Sequence, residues 1–251
     1  MVNPPRFLFR RAEIVRFVRS KVKSSEVSTF LEIGAGNMVL ACEMLSYYKN
    51  GVVVDFSDGS KSAYNDLDSF FKTRLKLING DFTKINLRHK YDAIIACEIL
   101  EHVKDQVGFV KKLRDGLKKD GHIIISVPAK MKYWSVHDEL VGHLRRYEKF
   151  DLYNLLKNNG FKDINIVSYG FPFLLGLRLL RIISVLKKSN VLKDMTISQR
   201  TAGSGFLNNG VLDASVFSLV LNKYFFYPLT IFSRMFNKYD LSEGYVVTAK
   251  K

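Results

Sequence analysis

The first place where residue type and spacing could do chemistry is Phe30-Leu-Glu-Ile-Gly-Ala-Gly-Asn-Met, which brings Glu32, Gly34, Ala35 and Gly36 together. Two glycines two apart let the backbone turn tightly and a ligand approach closely, and a helix opening behind them presents free N–H groups. Asp55 ends the next apolar run, 19 residues after Gly36. A carboxylate there can accept hydrogen bonds from both hydroxyls of a ribose. Asp81, in Asn79-Gly-Asp-Phe, closes the following run and is placed to meet an adenine amino group. The plain alternative for Asp55 is a turn acid or a helix N-cap.

Further on, Glu98, Glu101 and His102 fall at i, i+3 and i+4, which is one face if the segment is helical. With His143 brought near, such carboxylates and imidazoles could hold a divalent ion. The stretch from Val127 to Tyr147 is dense in polar and aromatic residues without a clear period, so it reads as a loop over a site. His143 and His137 are its candidate general bases, because histidine titrates near neutral pH. The plain alternative for each is a hydrogen bond to loop backbone. Tyr133, Trp134, Tyr147 and His102 are candidate substrate contacts. Arg145 and Arg146 either fork an anionic group of the substrate or pin the loop to Asp138 and Glu139.

These residues need strand ends to hold them, and the chain supplies them. Candidate strands are Ser28–Ile33, Gly51–Asp55, Leu75–Asn79, Tyr91–Ala96, Gly121–Val127, Asp163–Ser168 and, at the end, Gly244–Ala249. Helical patterns alternate with them near Met38–Tyr48, Ser60–Phe71, Asp105–Leu117 and Phe150–Asn158. Such alternation, with near-continuous apolar strands, predicts an α/β fold: a Rossmann-like, doubly wound, mostly parallel seven-stranded sheet with helices on both faces. Its ligand belongs beyond the carboxyl ends of the strands, at the switch point. The expected organisation is a basic amphipathic helix over 1–26, a ligand-binding domain over 27–170 and 240–251, and a helical, lid-like insertion over 171–239.

The ordered motifs Leu31-Glu-Ile-Gly-Ala-Gly, Val52-Val-Val-Asp, Gly80-Asp-Phe, Tyr91-Asp-Ala-Ile-Ile-Ala-Cys-Glu-Ile-Leu-Glu-His-Val and Gly121-His-Ile-Ile-Ile-Ser-Val-Pro resemble those of class I S-adenosylmethionine-dependent methyltransferases. The loop Trp134-Ser…His137-Asp…Gly142-His-Leu-Arg-Arg-Tyr is similar to that of small-molecule members of the ubiquinone-biosynthesis type. The resemblance implies that Glu32, Gly34, Ala35 and Gly36 lie along the methionine part of S-adenosylmethionine, that Asp55 with Phe56 holds the ribose, and that Asp81 with Phe82 holds the adenine. Cys97 and Glu98 line the pocket below the sulfonium, and S-adenosylhomocysteine is the product. The implied activity is methyl transfer to oxygen or nitrogen of a small molecule, including lipid-linked, glycan-precursor or natural-product acceptors. Such transfer needs an aligned acceptor and, for a hydroxyl, a base. Some relatives that methylate catechols or RNA ends hold a metal on the Glu-x-x-Glu-His pattern, but the pattern is also widespread without one, so no metal is assigned.

Met38 stands where the family usually has a third glycine. A dinucleotide fingerprint uses that glycine for close helix–strand packing, which disfavours a dehydrogenase. It also keeps open a cofactor-binding protein without catalysis. RNA methylation is a further alternative, motivated by charge. Against it, Ala96-Cys-Glu-Ile-Leu-Glu-His replaces the Asn/Asp-Pro-Pro-Tyr signature of base-amino methylases.

The net charge of +15 is unevenly spread. Residues 1–23 carry seven Lys/Arg and one acid, and residues 171–239 carry nine against Asp194 and Asp213, so +6 and +7 of the total lie in two apolar-rich segments. In the first helix Phe7, Ile14, Phe17 and Val18 lie near one face. In the insertion, Leu174, Leu175, Leu179, Ile182, Ile183 and Leu186 make another, followed by a stretch from Phe217 to Phe232. Basic amphipathic segments of this kind suit an anionic membrane surface or a subunit interface better than nucleic acid. No run of 18 apolar residues predicts a spanning helix, the first residues carry no signal-peptide pattern, and two cysteines exclude a disulfide framework. The expected location is therefore the cytoplasm, with the inner membrane face as the docking site that the basic segments raise.

Overall fold

The computed structural model of the chain describes residues 4–21, 28–87, 89–178 and 223–251. Seven strands make one sheet: β1 (Thr29–Ile33), β2 (Asn50–Asp55), β3 (Leu75–Asn79), β4 (Tyr91–Cys97), β5 (Leu117–Pro128), β6 (Lys162–Ser168) and β7 (Gly244–Lys250). Their order is β3-β2-β1-β4-β5-β7-β6. The pairs among β1 to β5 are parallel, whereas β7 runs antiparallel between β5 and β6. β1 lies between β2 and β4, so the order reverses there and opens a crevice at the carboxyl ends of those strands.

Each face of the sheet carries its own core. On one, Ile94, Ile123, Ile125 and Val247 pack with Phe109 and Leu113 of α5 (Gln106–Gly116) and Leu152 and Leu156 of α7 (Lys149–Asn158). On the other, Phe30, Val53, Ile95 and Ile124 pack with α1 (Pro5–Lys21), α2 (Val39–Met44) and Phe226 of α8 (Lys223–Arg234). The strand positions alternate between these two lists, as a sheet covered on both faces requires.

Local chemistry moved several boundaries. The helix expected over Ser60–Phe71 is two: α3 (Asp58–Asn65), whose cap Ser57 accepts from the Ser60 N–H, and α4 (Ser69–Lys72). Asp66 and Asp68 separate them, and aspartate disfavours helix interiors. The Trp134–Tyr147 segment is not wholly a loop. It contains α6 (Val136–Val141), opened by a Ser135/Asp138 capping box and closed by Gly142 in the left-handed region. In α1 the buried residues are Leu8, Phe9, Glu13, Ile14 and Val18, while Phe7 and Phe17 are only half-buried. α1 packs on the sheet and also against α8, where buried Glu13 pairs with Arg234, so its inner stripe is rotated from the expected face. Most of the expected insertion, residues 179–222, lies outside the described residues. No described helix is long and apolar enough to cross a membrane.

Met38 explains its own departure from glycine. It caps α2 with φ 63° and ψ 0°, in left-handed backbone, and its side chain is fully buried. A side chain in that conformation is strained by roughly 1–2 kcal/mol, and burial of the methionine offsets this by a similar amount. Met38→Ala keeps the strain and loses the packing, whereas Met38→Gly loses the packing but releases the strain. Urea unfolding is therefore expected to find the glycine variant about 1 kcal/mol more stable than the alanine variant. The opposite order would refute the strain account.

Candidate cofactor and acceptor site

At the crevice the glycine turn has the geometry of a cradle. Gly34 and Gly36 take φ of 74° and 53°, and nothing lies within 4 Å of the point where a Cβ on Gly36 would stand. At Gly34 the same addition would strike Ile99. Asp55 ties the turn to the end of β2: the Gly36 N–H donates to its Oδ2 at 3.0 Å, and the Ser57 N–H and hydroxyl donate to its Oδ1 at 2.9 and 2.8 Å. Glu32 is buried, and its Oε2 has no partner. Burial, with nearby Asp55 adding to it and Arg10 opposing, pushes this carboxyl up to about 8. Open space beside a positive-φ glycine and a partnerless buried acid fit a ligand carrying an amine or hydroxyl.

The neighbouring candidates divide. Ala35 is buried in the turn, and Phe56 is half exposed beside Asp55. Asp81 is exposed and accepts from the Thr83 N–H and hydroxyl at 2.8 and 2.7 Å. Phe82 packs inward on Phe109, with Lys112 over its ring, so it belongs to the core more than to the crevice wall. The Cys97 thiol is buried and pushed up to about 12, largely by that burial, so it stays protonated.

Glu98 follows at the tip of β4 in left-handed backbone, with φ 56°. Its side chain accepts from the Ser126 hydroxyl at 2.9 Å and meets Arg6 at 3.0 Å and Arg10 at 3.5 Å. Burial alone would raise this carboxyl, but Arg6 and Arg10, with Ser126, bring it down to about 2. Glu101, on the 3-10 turn Leu100–His102, goes the other way. It is fully buried, neither of its oxygens has a hydrogen-bond partner, and burial beside Glu98 raises it well above the carboxylate range.

His143 faces Glu101 with Nε2 at 3.8 Å, while its Nδ1 lies 2.8 Å from Asp138 Oδ1. Because the Asp138 carboxylate can only accept, Nδ1 donates to it. His102 stacks edge-on at 4.9 Å, bonded to the Gly142 carbonyl, and burial lowers it to about 4. One donor atom from each of Glu101, His102 and His143 lies within 4.8 Å of the others. Such a set fits a divalent ion, with Glu98 outside it.

The remaining loop residues serve mainly to hold the loop. Arg146 is buried and bidentate on Asp138 at 2.8 and 3.0 Å, and it also donates to the Ala129 carbonyl. Its fork is therefore occupied, leaving the loop-pinning alternative. Tyr147 donates to the Leu100 carbonyl, Trp134 to Glu139 and Tyr133 to the Leu241 carbonyl. Arg145 is half-buried, and His137 is buried with its ring 6.4 Å from His143.

Arg6, Arg10, Arg178, Tyr169 and Glu243 escaped the sequence reading. The first two sit in a segment that reads as a basic surface helix, yet the structure turns them inward onto Glu98, while Arg11 meets Glu43. A four-residue spacing of arginines on the apolar side of α1 was the available signal.

Comparison with known proteins gives the family. A family described as a methyltransferase domain matches residues 7–166. An (S)-tetrahydroprotoberberine N-methyltransferase of Eschscholzia californica is 29% identical over 43% of this chain and 31% of its own length. A malonyl-[acyl-carrier protein] O-methyltransferase 2 of Ilyobacter polytropus is 28% identical over 47% and 46%. The chain thus spans less than half the length of either curated relative. Among solved structures, a Haemonchus contortus phosphoethanolamine N-methyltransferase 2 with phosphomonomethylethanolamine and S-adenosylhomocysteine superposes at TM-score 0.56, with 15% identity, over 96% of this chain and 52% of that one. The N-methyltransferase NodS of Bradyrhizobium japonicum with S-adenosylhomocysteine gives 0.52 at 17% identity, over 64% and 77%.

Asp138 is the anchor of the loop, since His143, Arg146 and Ser135 all converge on it. Removing one member of a buried ion pair strands the other and costs about 3–5 kcal/mol. Asp138→Ala is expected to lose that much in urea unfolding, and Asp138→Ala with Arg146→Met to lose less than the single variant. An Asp138→Ala chain within about 1 kcal/mol of wild type would contradict the anchoring role.

Proposed function

Because the chain belongs to the family of S-adenosylmethionine-dependent methyltransferases, we propose that it methylates an oxygen or nitrogen of a small molecule bound beyond the carboxyl ends of β1 and β4. The observation that carries this reading is the oriented imidazole of His143, with Nδ1 held by Asp138 and Nε2 turned toward the end of β4. When bound, S-adenosylmethionine would supply an electrophilic methyl carbon, the acceptor's lone pair forming the new bond to it as the carbon–sulfur bond breaks and S-adenosylhomocysteine leaves. Gly34 and Gly36 admit the ligand close to backbone, and Glu32 accepts from its amine. Asp55 holds a ribose, and Asp81 holds an adenine amino group through whichever lone pairs Thr83 leaves. His143 Nε2 takes the acceptor's proton, and Asp138 keeps the imidazole in the competent tautomer and stabilises the imidazolium. The two curated relatives, named as an N-methyltransferase and an O-methyltransferase, support transfer to either atom type.

A second reading is favoured by the partnerless oxygens of Glu101 beside His102 and His143. Three such ligands would hold a divalent ion, and His143 would then serve as ligand and not as base. Transfer of labelled methyl from S-adenosylmethionine to molecules of a cell extract, read by mass shift, identifies the acceptor. With it, His143→Ala is expected to lower kcat roughly 10²–10⁴-fold while S-adenosylhomocysteine binds as before. Equal loss of cofactor affinity would make His143 structural. Turnover abolished by chelator and restored by a divalent ion would install the metal reading instead.

A further inference from the structure

The buried polar cluster at the mouth of the crevice has more donors than acceptors. Arg6 Nε and Nη2, Arg10 Nε, Arg178 Nε and the Tyr169 hydroxyl are buried without an aligned hydrogen-bond partner, although Arg6 Nη2 lies 3.0 Å from Glu98 and the Arg6 side chain also interacts with Tyr169. Each guanidinium presents five donors in a fixed fork, which matches a carboxylate or phosphate. The acceptors on hand are few. Glu98 stands between Arg6 and Arg10, Glu243 lies 3.7 Å from Arg178, and Arg178 also donates to the Tyr133 carbonyl at 3.1 Å. Among the described residues, the guanidinia of Arg6, Arg10 and Arg178 meet the carboxylates of Glu98 and Glu243, and the donors left without aligned acceptors are costly to bury unless an anion enters.

The two arginines of α1 share Glu98 but differ in their other neighbours. Arg10 acts on Glu32 and Cys97, on the glycine-turn side. Both arginines act on Tyr169, and Arg6 also feels Glu243, beside the start of β7. Arg146, whose sequence position suggested an anion fork, is saturated by Asp138.

We propose that the methyl acceptor carries an acidic group, a carboxylate or phosphate, and that Arg6 receives it together with Arg178 and the Tyr169 hydroxyl. The inference rests on the methyl-transfer reading and names the acceptor's class. Arg6 is the specificity-determining contact: its fork lets go of part of Glu98 and closes on the incoming anion, with Tyr169 donating from the opposite side. Arg10 stays on the cofactor side, where a carboxylate of the cofactor itself is the competing source of the same chemistry.

The test uses the full chain saturated with S-adenosylhomocysteine, titrated with inorganic phosphate and with malonate by calorimetry. Wild type is expected to bind at least one of them saturably. Arg6→Met should weaken that anion about tenfold or more, which is about 1.4 kcal/mol, and should weaken S-adenosylhomocysteine by less than that, through the looser hold of Glu98 on α1. Arg6→Lys, which keeps the charge and loses the fork, should fall between the two. Crystals of the S-adenosylhomocysteine complex soaked with malonate give a reading without variants, with a carboxylate expected in contact with Arg6. No saturable anion binding by wild type, unchanged anion binding in Arg6→Met, or malonate seated elsewhere would each overturn the proposal. Loss of S-adenosylhomocysteine affinity in Arg6→Met with anion binding kept would assign the arginine to the cofactor's own carboxylate, again overturning it. Failure of wild type to bind S-adenosylhomocysteine at all would strike the methyl-transfer reading and is seen before any anion is added.

Discussion

A single ionised carboxylate, Glu98, ties the two halves of the candidate site together. It ends the central strand β4 in left-handed backbone, next to the switch point. An acid in that place is tolerated only if cations and donors reach it, and they come from opposite directions. Ser126 approaches from the neighbouring strand β5, Arg6 and Arg10 from α1. α1 is therefore fastened over the crevice by charge as well as by Leu8, Phe9, Ile14 and Val18. Glu101, one helical turn away, is buried beside the same charge and cannot share it, so its carboxyl is driven the other way. Two acids with opposed protonation, three residues apart, make one pole that repels a proton and one that holds it.

A second buried carboxylate, Asp138, plays the same part for the acceptor side. Its five hydrogen bonds come from the Ser135 N–H and hydroxyl, from His143 and twice from Arg146, and together they give a polar loop the rigidity of a core element. The isolated bridge between Ala129 and Tyr147 and the Tyr147 bond to the Leu100 carbonyl carry that rigidity to the tip of β4. His143 is consequently placed by a network that does not depend on substrate. Preorganisation of this sort is what proton transfer and, equally, metal ligation require.

The sheet and most of the crevice were legible in the sequence because their signals are local. Apolar runs with period two, a glycine pair opening a helix and an acid at each strand end need no knowledge of the rest of the chain. Even Met38 was visible as an anomaly, although its left-handed backbone was not. The capping box that makes α6 was also present, as Ser135 and Asp138, but its helix is too short to show a period. What escaped was non-local. Arg6 and Arg10 belong by composition to a basic amphipathic helix, and nothing within α1 says that these two guanidinia find Glu98 while Arg19 stays exposed. Arg146 had two readings by sequence, a fork for a substrate anion or a pin onto Asp138 and Glu139, and the structure makes it the pin on Asp138. Charge arithmetic counts residues and cannot tell a solvated arginine from a buried one.

The central claim is that α1 forms one wall of the cofactor crevice, held there by Glu98. Hydrogen exchange read by mass spectrometry, with and without S-adenosylhomocysteine, tests it most directly, since exchange reports the local opening of each backbone segment. Slowed exchange is predicted in three places at once: the turn between β1 and α2, the end of β2 at Asp55–Ser57, and α1 from Leu8 to Val18. Protection of the turn and the strand end with α1 unchanged would contradict the claim, and protection confined to other segments would place the cofactor elsewhere.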